Sequence, residues 1–209
     1  MSYEELCQEV VNGNEANVKE LTKQLIDAGS DPLEIINKGL IAGMDVVGPR
    51  FKSGEMFVPE VLMCAKAMGA GVEIVKTTMD GADMPSIGKI VIGTVEGDLH
   101  DIGKNLVAMM LESSGFTVVN LGIDLSVDQF VAAVKEHNPD ILGLSALLTT
   151  TMIHMKEVIE ALKEEGLKDE VKVIIGGAPI SQSFADEIGA DGYAPDAAVA
   201  ADLCKELIA

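Results

Sequence analysis

The 209-residue chain carries 34 acidic side chains against 15 basic ones, and a formal charge of −19 opposes binding to nucleic acid or an anionic membrane surface. Apolar residues make up 48%, enough for a real core in one large or two small domains, while the lack of Trp leaves few platforms for stacking bases. Cys7, Cys64 and Cys204 lie far apart without a CxxC pair, and the early acids Glu4 and Glu5 precede no long apolar run, so a reducing cytoplasm fits better than secretion or a membrane span.

Ser2-Tyr-Glu-Glu5 predicts a capping box that opens a short helix, closed by Gly13; Asn14 starts the next helix and Gly29 ends it. Asp31-Pro32 is an N-cap followed by a first-turn proline, and Leu33, Ile36, Leu40, Met44 and Val47 predict a third helix to about Val47. Gly48-Pro49 through Gly54 breaks that pattern. Pro59 restarts it, and Val61, Leu62, Met68, Val72 and Val75 predict a fourth helix, so residues 1–79 read as a four-helix bundle.

Residues 80–88 hold small, polar and turn-forming side chains without periodicity and read as a linker, its hinge bounded by Gly81 and Pro85. From 89 to 209 strand and helix signals alternate. Strands are expected at Ile90–Ile92, Thr117–Leu121, Ile141–Leu144 and Val171–Ile175 and, weakly, near Tyr193. Helices are expected from Ile102, Val127, about Thr150, Ser181 and Pro195. Five strands with intervening helices predict a doubly wound α/β domain, flavodoxin-like, with a parallel sheet in the order 2-1-3-4-5. In that order the loops after strands one, three and four converge at the switch point, bringing together His100, Ser145 and Gly176.

The first of those loops, Glu96-Gly-Asp98-Leu-His100-Asp-Ile-Gly103, offers an imidazole with an acid two residues before it. Such an acid can hold the proton of one ring nitrogen while the other binds a metal. One Asp-x-His alone is weak, because a loop histidine beside an acid is more often a surface hydrogen bond. Ser145 could hydrogen-bond a ligand ring nitrogen, and Gly176-Gly177 reads equally as a close approach to a flat ligand or as a strand-ending turn. A P-loop reading of Gly97 to Lys104 fails, since five residues separate the glycines and Asn105 replaces Ser or Thr. A GxGxxG after the first strand is missing, which argues against a dinucleotide. His137 and His154 read as ordinary surface or helix residues.

Together, Asp98-x-His100-x-x-Gly103, Ser145-x-Leu147 and Gly176-Gly177 resemble the cobalamin-binding signature of corrinoid proteins. The helical half is similar to that family's bundle in Gly43-Met-Asp-Val-Val-Gly48 and Phe51-x-x-Gly54-Glu-x-Phe57-x-Pro59-Glu60. Within the family, Ser145-Ala-Leu-Leu-Thr-Thr-Thr151-Met and Gly176-Gly-Ala-Pro179 resemble the corrinoid proteins of methylamine-type methyltransferase systems.

That resemblance implies a cobalamin or related corrinoid, present as methylcobalamin in one half of the cycle. Its cobalt would take a methyl group as cobalt(I) on a substrate:corrinoid methyltransferase. A corrinoid:coenzyme M or corrinoid:tetrahydrofolate methyltransferase would then receive the methyl, with a reductive activase as a further partner. His100 would ligate cobalt, tuned by Asp98. Leu99, Asp101, Ile102, Gly103, Ser145, Leu147, Thr149, Gly176, Gly177 and Ala178 would bind the cofactor. Thr151 stands where methionine synthase has the serine of its histidine–aspartate relay, although capping by Thr149, Thr150 or Thr151 reads equally. Phe57 and Val61 fall where the family covers the upper face of the corrin, and for Phe57 a place in the bundle core reads nearly as well. The chain would be a carrier and not an enzyme by itself. Two other readings share the histidine loop: the small subunit of an adenosylcobalamin-dependent mutase, and a cobalamin-sensing regulator.

Overall fold

The computed structural model describes residues 2–78 and 86–209, and the chain divides into two compact units, one helical and one α/β. The expected hinge residues Gly81 and Pro85 lie outside the described residues.

The helical unit opens with α1 (Tyr3–Val11) and α2 (Glu15–Asp27). Ser2 and Glu5 form the reciprocal capping box of α1, and Asn14 caps α2. Asp31 caps α3 (Pro32–Glu34), which runs without a break through a π-helical segment, Ile35–Ile41, into α4 (Ala42–Lys52); α5 (Val58–Lys76) completes the unit. The wider winding of the π segment suits the four-residue steps Ile36, Leu40 and Met44, all of them buried. Leu33, expected on that face, is exposed.

One expected break does not occur. The helix continues through Gly48 and Pro49 to Lys52. Pro49 costs a hydrogen bond to the Asp45 carbonyl, but both residues lie on the exposed side of the helix, where water can take that carbonyl.

The α/β unit holds β1 (Lys89–Thr94), α6 (Ile102–Ser113), β2 (Thr117–Asn120), α7 (Val127–His137) and β3 (Ile141–Ser145). It continues with α8 (Ile153–Glu164), β4 (Lys172–Gly176), α9 (Gln182–Ile188), β5 (Gly192–Ala194) and α10 (Ala197–Ile208). The five strands are parallel in the order β2-β1-β3-β4-β5. Successive strand residues point to opposite faces. Val91, Leu142 and Val173 therefore pack in one core with Phe130 of α7 and Met155 and Ile159 of α8. Ile90, Ile141 and Ile174 pack in another with Leu111 of α6 and Ala201 and Cys204 of α10. Burial on both faces explains why these strands read as continuous apolar runs. The register places Thr94, Ser145 and Gly176 side by side at the carboxyl edge.

Candidate functional site

The chain leaves β1 at Thr94, turns at Gly97 with φ of +76° and reaches α6 only at Ile102. The intervening loop is tied from several sides. Thr94, buried, donates its hydroxyl to the His100 carbonyl at 2.9 Å. Val95 N–H donates to the Ser145 carbonyl at 3.0 Å, which fastens the loop to the end of β3.

Asp98 is 0% exposed and works through both oxygens. Oδ1 accepts from His100 Nδ1 at 2.7 Å and from His100 N–H at 3.1 Å. Oδ2 accepts from Leu147 N–H at 2.7 Å, Leu148 N–H at 3.2 Å and Thr151 Oγ1 at 2.7 Å. Burial alone would push the carboxyl up. The Thr151 hydroxyl, the Leu147 amide and the two His100 donors outweigh it and hold Asp98 well below the usual carboxylate range.

An ionised carboxylate only accepts, so the shared proton sits on Nδ1 and the lone pair of Nε2 is available. The His100 side chain is 52% exposed, which turns that nitrogen toward solvent and not into the core. Beside it Asp101 is exposed, but much of the surrounding surface is apolar. Leu99 is 67% exposed and Ile102 84%, Ile123, Leu147 and Leu148 are exposed on neighbouring loops, and Ile153 at the start of α8. An apolar apron around one outward imidazole suits a flat hydrophobic ligand. A Cβ added at Gly103 would meet nothing within 4 Å, so the space over the start of α6 is open.

Among the described residues no group of three or more His, Cys, Asp or Glu could hold a bare metal ion. A metal that binds His100 must bring its other ligands with it, as the cobalt of a corrin does. The donor set and the apolar surround fit that group.

The remaining expected site residues divide. Asp101 is exposed and accepts from Asn105 Nδ2 at 3.1 Å, and Thr149 and Ala178 are exposed on their loops. Ser145 is half-buried at the end of β3. Gly177 has φ of +129°, and a Cβ there would lie 1.8 Å from the Ala146 carbonyl oxygen, so the close approach that requires glycine is made by the protein's own backbone. Thr151 does not cap a helix. α8 begins at Ile153 behind Met152, which makes no side-chain cap, and the single hydroxyl proton of Thr151 goes to the Asp98 carboxylate in preference to the Leu148 carbonyl at 3.0 Å.

In the helical unit, Phe57 is 68% exposed at the N-cap of α5, with Val58, Leu62 and Met63 also exposed nearby. Phe57 is therefore not a core residue. Val61 is, because helical periodicity turns that position into the bundle, where it is fully buried. His154 pairs with Glu157 at 2.7 Å. Lys104, far from making a P-loop, is buried with Nζ on the side-chain oxygens of Asn105 and Asn120.

The loop after β2 belongs to this edge and was missing from the expected site. Asp124 accepts the Gly97 N–H at 2.7 Å, and Ile123 joins the apolar apron.

Residues 88–202 match a B12 binding domain, and residues 2–76 match a second family also described as a B12 binding domain. The dimethylamine corrinoid protein of Methanosarcina barkeri is 49% identical over 213 residues, spanning 100% of both chains. The crystal structure of the methanol:cobalamin methyltransferase complex MtaBC from Methanosarcina barkeri matches with a TM-score of 0.88 at 37% identity, over 97% of this chain and 78% of that one. A cobalamin-binding protein from Desulfitobacterium hafniense DCB-2 matches with a TM-score of 0.83 at 37% identity, over 100% of this chain and 99% of that one.

Proposed function

Because the chain belongs to the corrinoid proteins of methyltransferase systems, built from B12 binding domains and using a corrinoid cofactor, we propose that it carries a methyl group between two methyltransferases. The observation that supports this reading most is the Asp98–His100 pair: a buried, ionised carboxylate holding the proton on Nδ1 of an outward imidazole. A corrinoid held there by His100 would supply a cobalt centre able to take up a methyl group and give it up again.

The chain's own residues do the rest. His100 would present Nε2 to the cobalt. Asp98 keeps the proton of the neutral ring on Nδ1, which leaves the Nε2 lone pair for the metal, and its charge raises the donor strength of the imidazole. Thr151 and the Leu147 amide share the carboxylate's charge and so moderate that pull. Leu99, Ile102, Leu147 and Leu148 offer an apolar seat, Gly103 leaves room over α6, and Ser145 offers a hydroxyl to a displaced base. The exposed Phe57, Val58 and Leu62 are the residues we assign to shielding the cofactor.

With these roles filled, the activation of a methyl donor falls to a partner. A methyl on nitrogen or oxygen is a poor electrophile and needs its leaving group positioned and protonated. The partner we propose is a substrate:corrinoid methyltransferase acting on a methylamine, betaine or similar donor. A second methyltransferase would pass the methyl to coenzyme M or tetrahydrofolate, with a reductive activase restoring the oxidised carrier.

The test is partner dependence. Reduced, corrinoid-loaded protein is mixed with dimethylamine, other methylamines, methanol or betaine, alone and with a donor-specific methyltransferase, and the absorbance of the methylated cofactor is followed. Methylation is expected only with the second protein present. Rapid methylation by the chain alone would identify a complete enzyme in place of a carrier.

A further inference from the structure

The loop after β2 grips the histidine loop, and the end of β2 itself grips the start of α6. At the near end, Gly97 N–H donates to Asp124 Oδ1 at 2.7 Å, and Asp124 N–H donates to the Asp98 carbonyl at 3.2 Å. One aspartate thus holds, by side chain and main chain, two consecutive residues just ahead of His100. At the far end, Lys104 Nζ donates to Asn120 Oδ1 at 2.6 Å and to Asn105 Oδ1 at 2.8 Å, while Asn105 reaches Asp101 Oδ2 at 3.1 Å. Leu125 N–H to the Thr94 carbonyl, at 3.1 Å, closes the grip behind them.

Asp124 also stands at φ of 54°, in the left-handed region that glycine, asparagine and aspartate adopt more readily than other residues. Its carboxylate is engaged there by the Gly97 N–H, which ties this loop to the residue ahead of Asp98. Asp98 points its side chain inward to Leu147 and Thr151, so the direction in which the chain leaves Asp98 decides where the imidazole stands. Gly97 N–H and the Asp98 carbonyl flank that turn.

Resting on the corrinoid reading above, we propose that Asp124 is the positioning residue of the axial histidine. It locks the Gly97–Asp98 turn so that His100 Nδ1 meets Asp98 and Nε2 faces the metal. With the carboxylate removed, the turn is free to relax and cobalt is left more often to the cofactor's own base or to water.

Two variants separate the hydrogen bond from the backbone conformation. Asp124→Gly deletes the acceptor and accepts the same φ. Asp124→Asn keeps an acceptor oxygen and tolerates the same φ. Full-length protein labelled with nitrogen-15 is loaded with unlabelled cobalamin and reduced to cobalt(II), and its electron paramagnetic resonance spectrum is recorded. A ligating protein nitrogen splits each line into a doublet, whereas the cofactor's own base gives a triplet. Wild type and Asp124→Asn should show the doublet. Asp124→Gly should shift the ratio of histidine-ligated to other forms roughly tenfold toward the latter, the effect of losing one charge-assisted hydrogen bond. Its apoprotein melting temperature and cofactor stoichiometry should match wild type.

An unchanged doublet in Asp124→Gly overturns the proposal, as does an equal loss in Asp124→Asn. A fall in melting temperature and stoichiometry that tracks the lost doublet also overturns it, leaving Asp124 a purely structural role. A wild-type spectrum without a doublet is a different failure, that of the corrinoid reading itself.

Discussion

Exchanging Asp98 for asparagine changes one atom's chemistry without changing shape, and the structure specifies which way the new amide must turn. Asparagine has one acceptor oxygen and one donor NH2 to place where two acceptors stood. With the NH2 at the Oδ2 position it would face the Leu147 and Leu148 amides, at 2.7 and 3.2 Å, and neither can reverse its role. With the NH2 at the Oδ1 position, only the His100 amide loses its acceptor, at 3.1 Å. The imidazole, at 2.7 Å, can adapt by accepting through Nδ1. The second orientation is cheaper and moves the ring proton to Nε2, the atom assigned to the metal. A charge-assisted hydrogen bond is worth about 1.5–3 kcal/mol. With two such bonds altered around a half-exposed imidazole, the expected loss of apoprotein stability is about 2–3 kcal/mol. Urea unfolding at pH 7 measures the first effect, and nitrogen-15 shifts of the imidazole measure the second, with only three histidines to resolve. Asp98→Asn protein that keeps its Nδ1 proton and unfolds within about 0.5 kcal/mol of wild type would refute the reasoning.

Gly177→Ala forces a Cβ against the Ala146 carbonyl at a positive φ, and should destabilise the α/β unit by about 2–4 kcal/mol in denaturant unfolding. Gly103→Ala meets nothing within 4 Å and sits in the first turn of α6, so the apoprotein should gain about 0.5 kcal/mol while cobalamin titration shows weaker binding; unchanged affinity would remove Gly103 from the seat. Burial pushes the Cys204 thiol up to about 12 and raises Cys64 and Cys7 as well, but Cys64 and Cys204 are buried where Cys7 is only half-buried. A thiol reagent should label Cys7 first in the native protein, and the other two only on unfolding, as read by peptide mass.

Much of this molecule is legible in its sequence because its signals are local. Ser2 and Asp31 are caps, the β strands are apolar runs between breakers, and the order of alternating elements dictates a parallel sheet whose loops meet at one edge. Illegible features depend on what lies across the fold. Pro49 looks like a stop until its exposure shows that the lost hydrogen bond can be made to water. Among three consecutive threonines nothing distinguishes Thr151 except the distant Asp98 that it reaches. Val61 and Phe57 sit one helical turn apart, and only the helix phase places one in the core and the other in solvent. Asp124 was discoverable. The strand order puts β2 on the other side of β1, so its loop must flank the histidine loop, and an acid two residues after Gly122 is the polar group to expect there.

Carriage itself is tested most directly in a single turnover. Protein loaded with methylcobalamin bearing an isotopically labelled methyl group is mixed with coenzyme M or tetrahydrofolate, with and without the matching corrinoid methyltransferase, and the acceptor is analysed for label. The account predicts stoichiometric transfer of the label to the acceptor when the methyltransferase is present, and none without it. Label that stays on the protein with the methyltransferase present, or that reaches the acceptor in its absence, would contradict it.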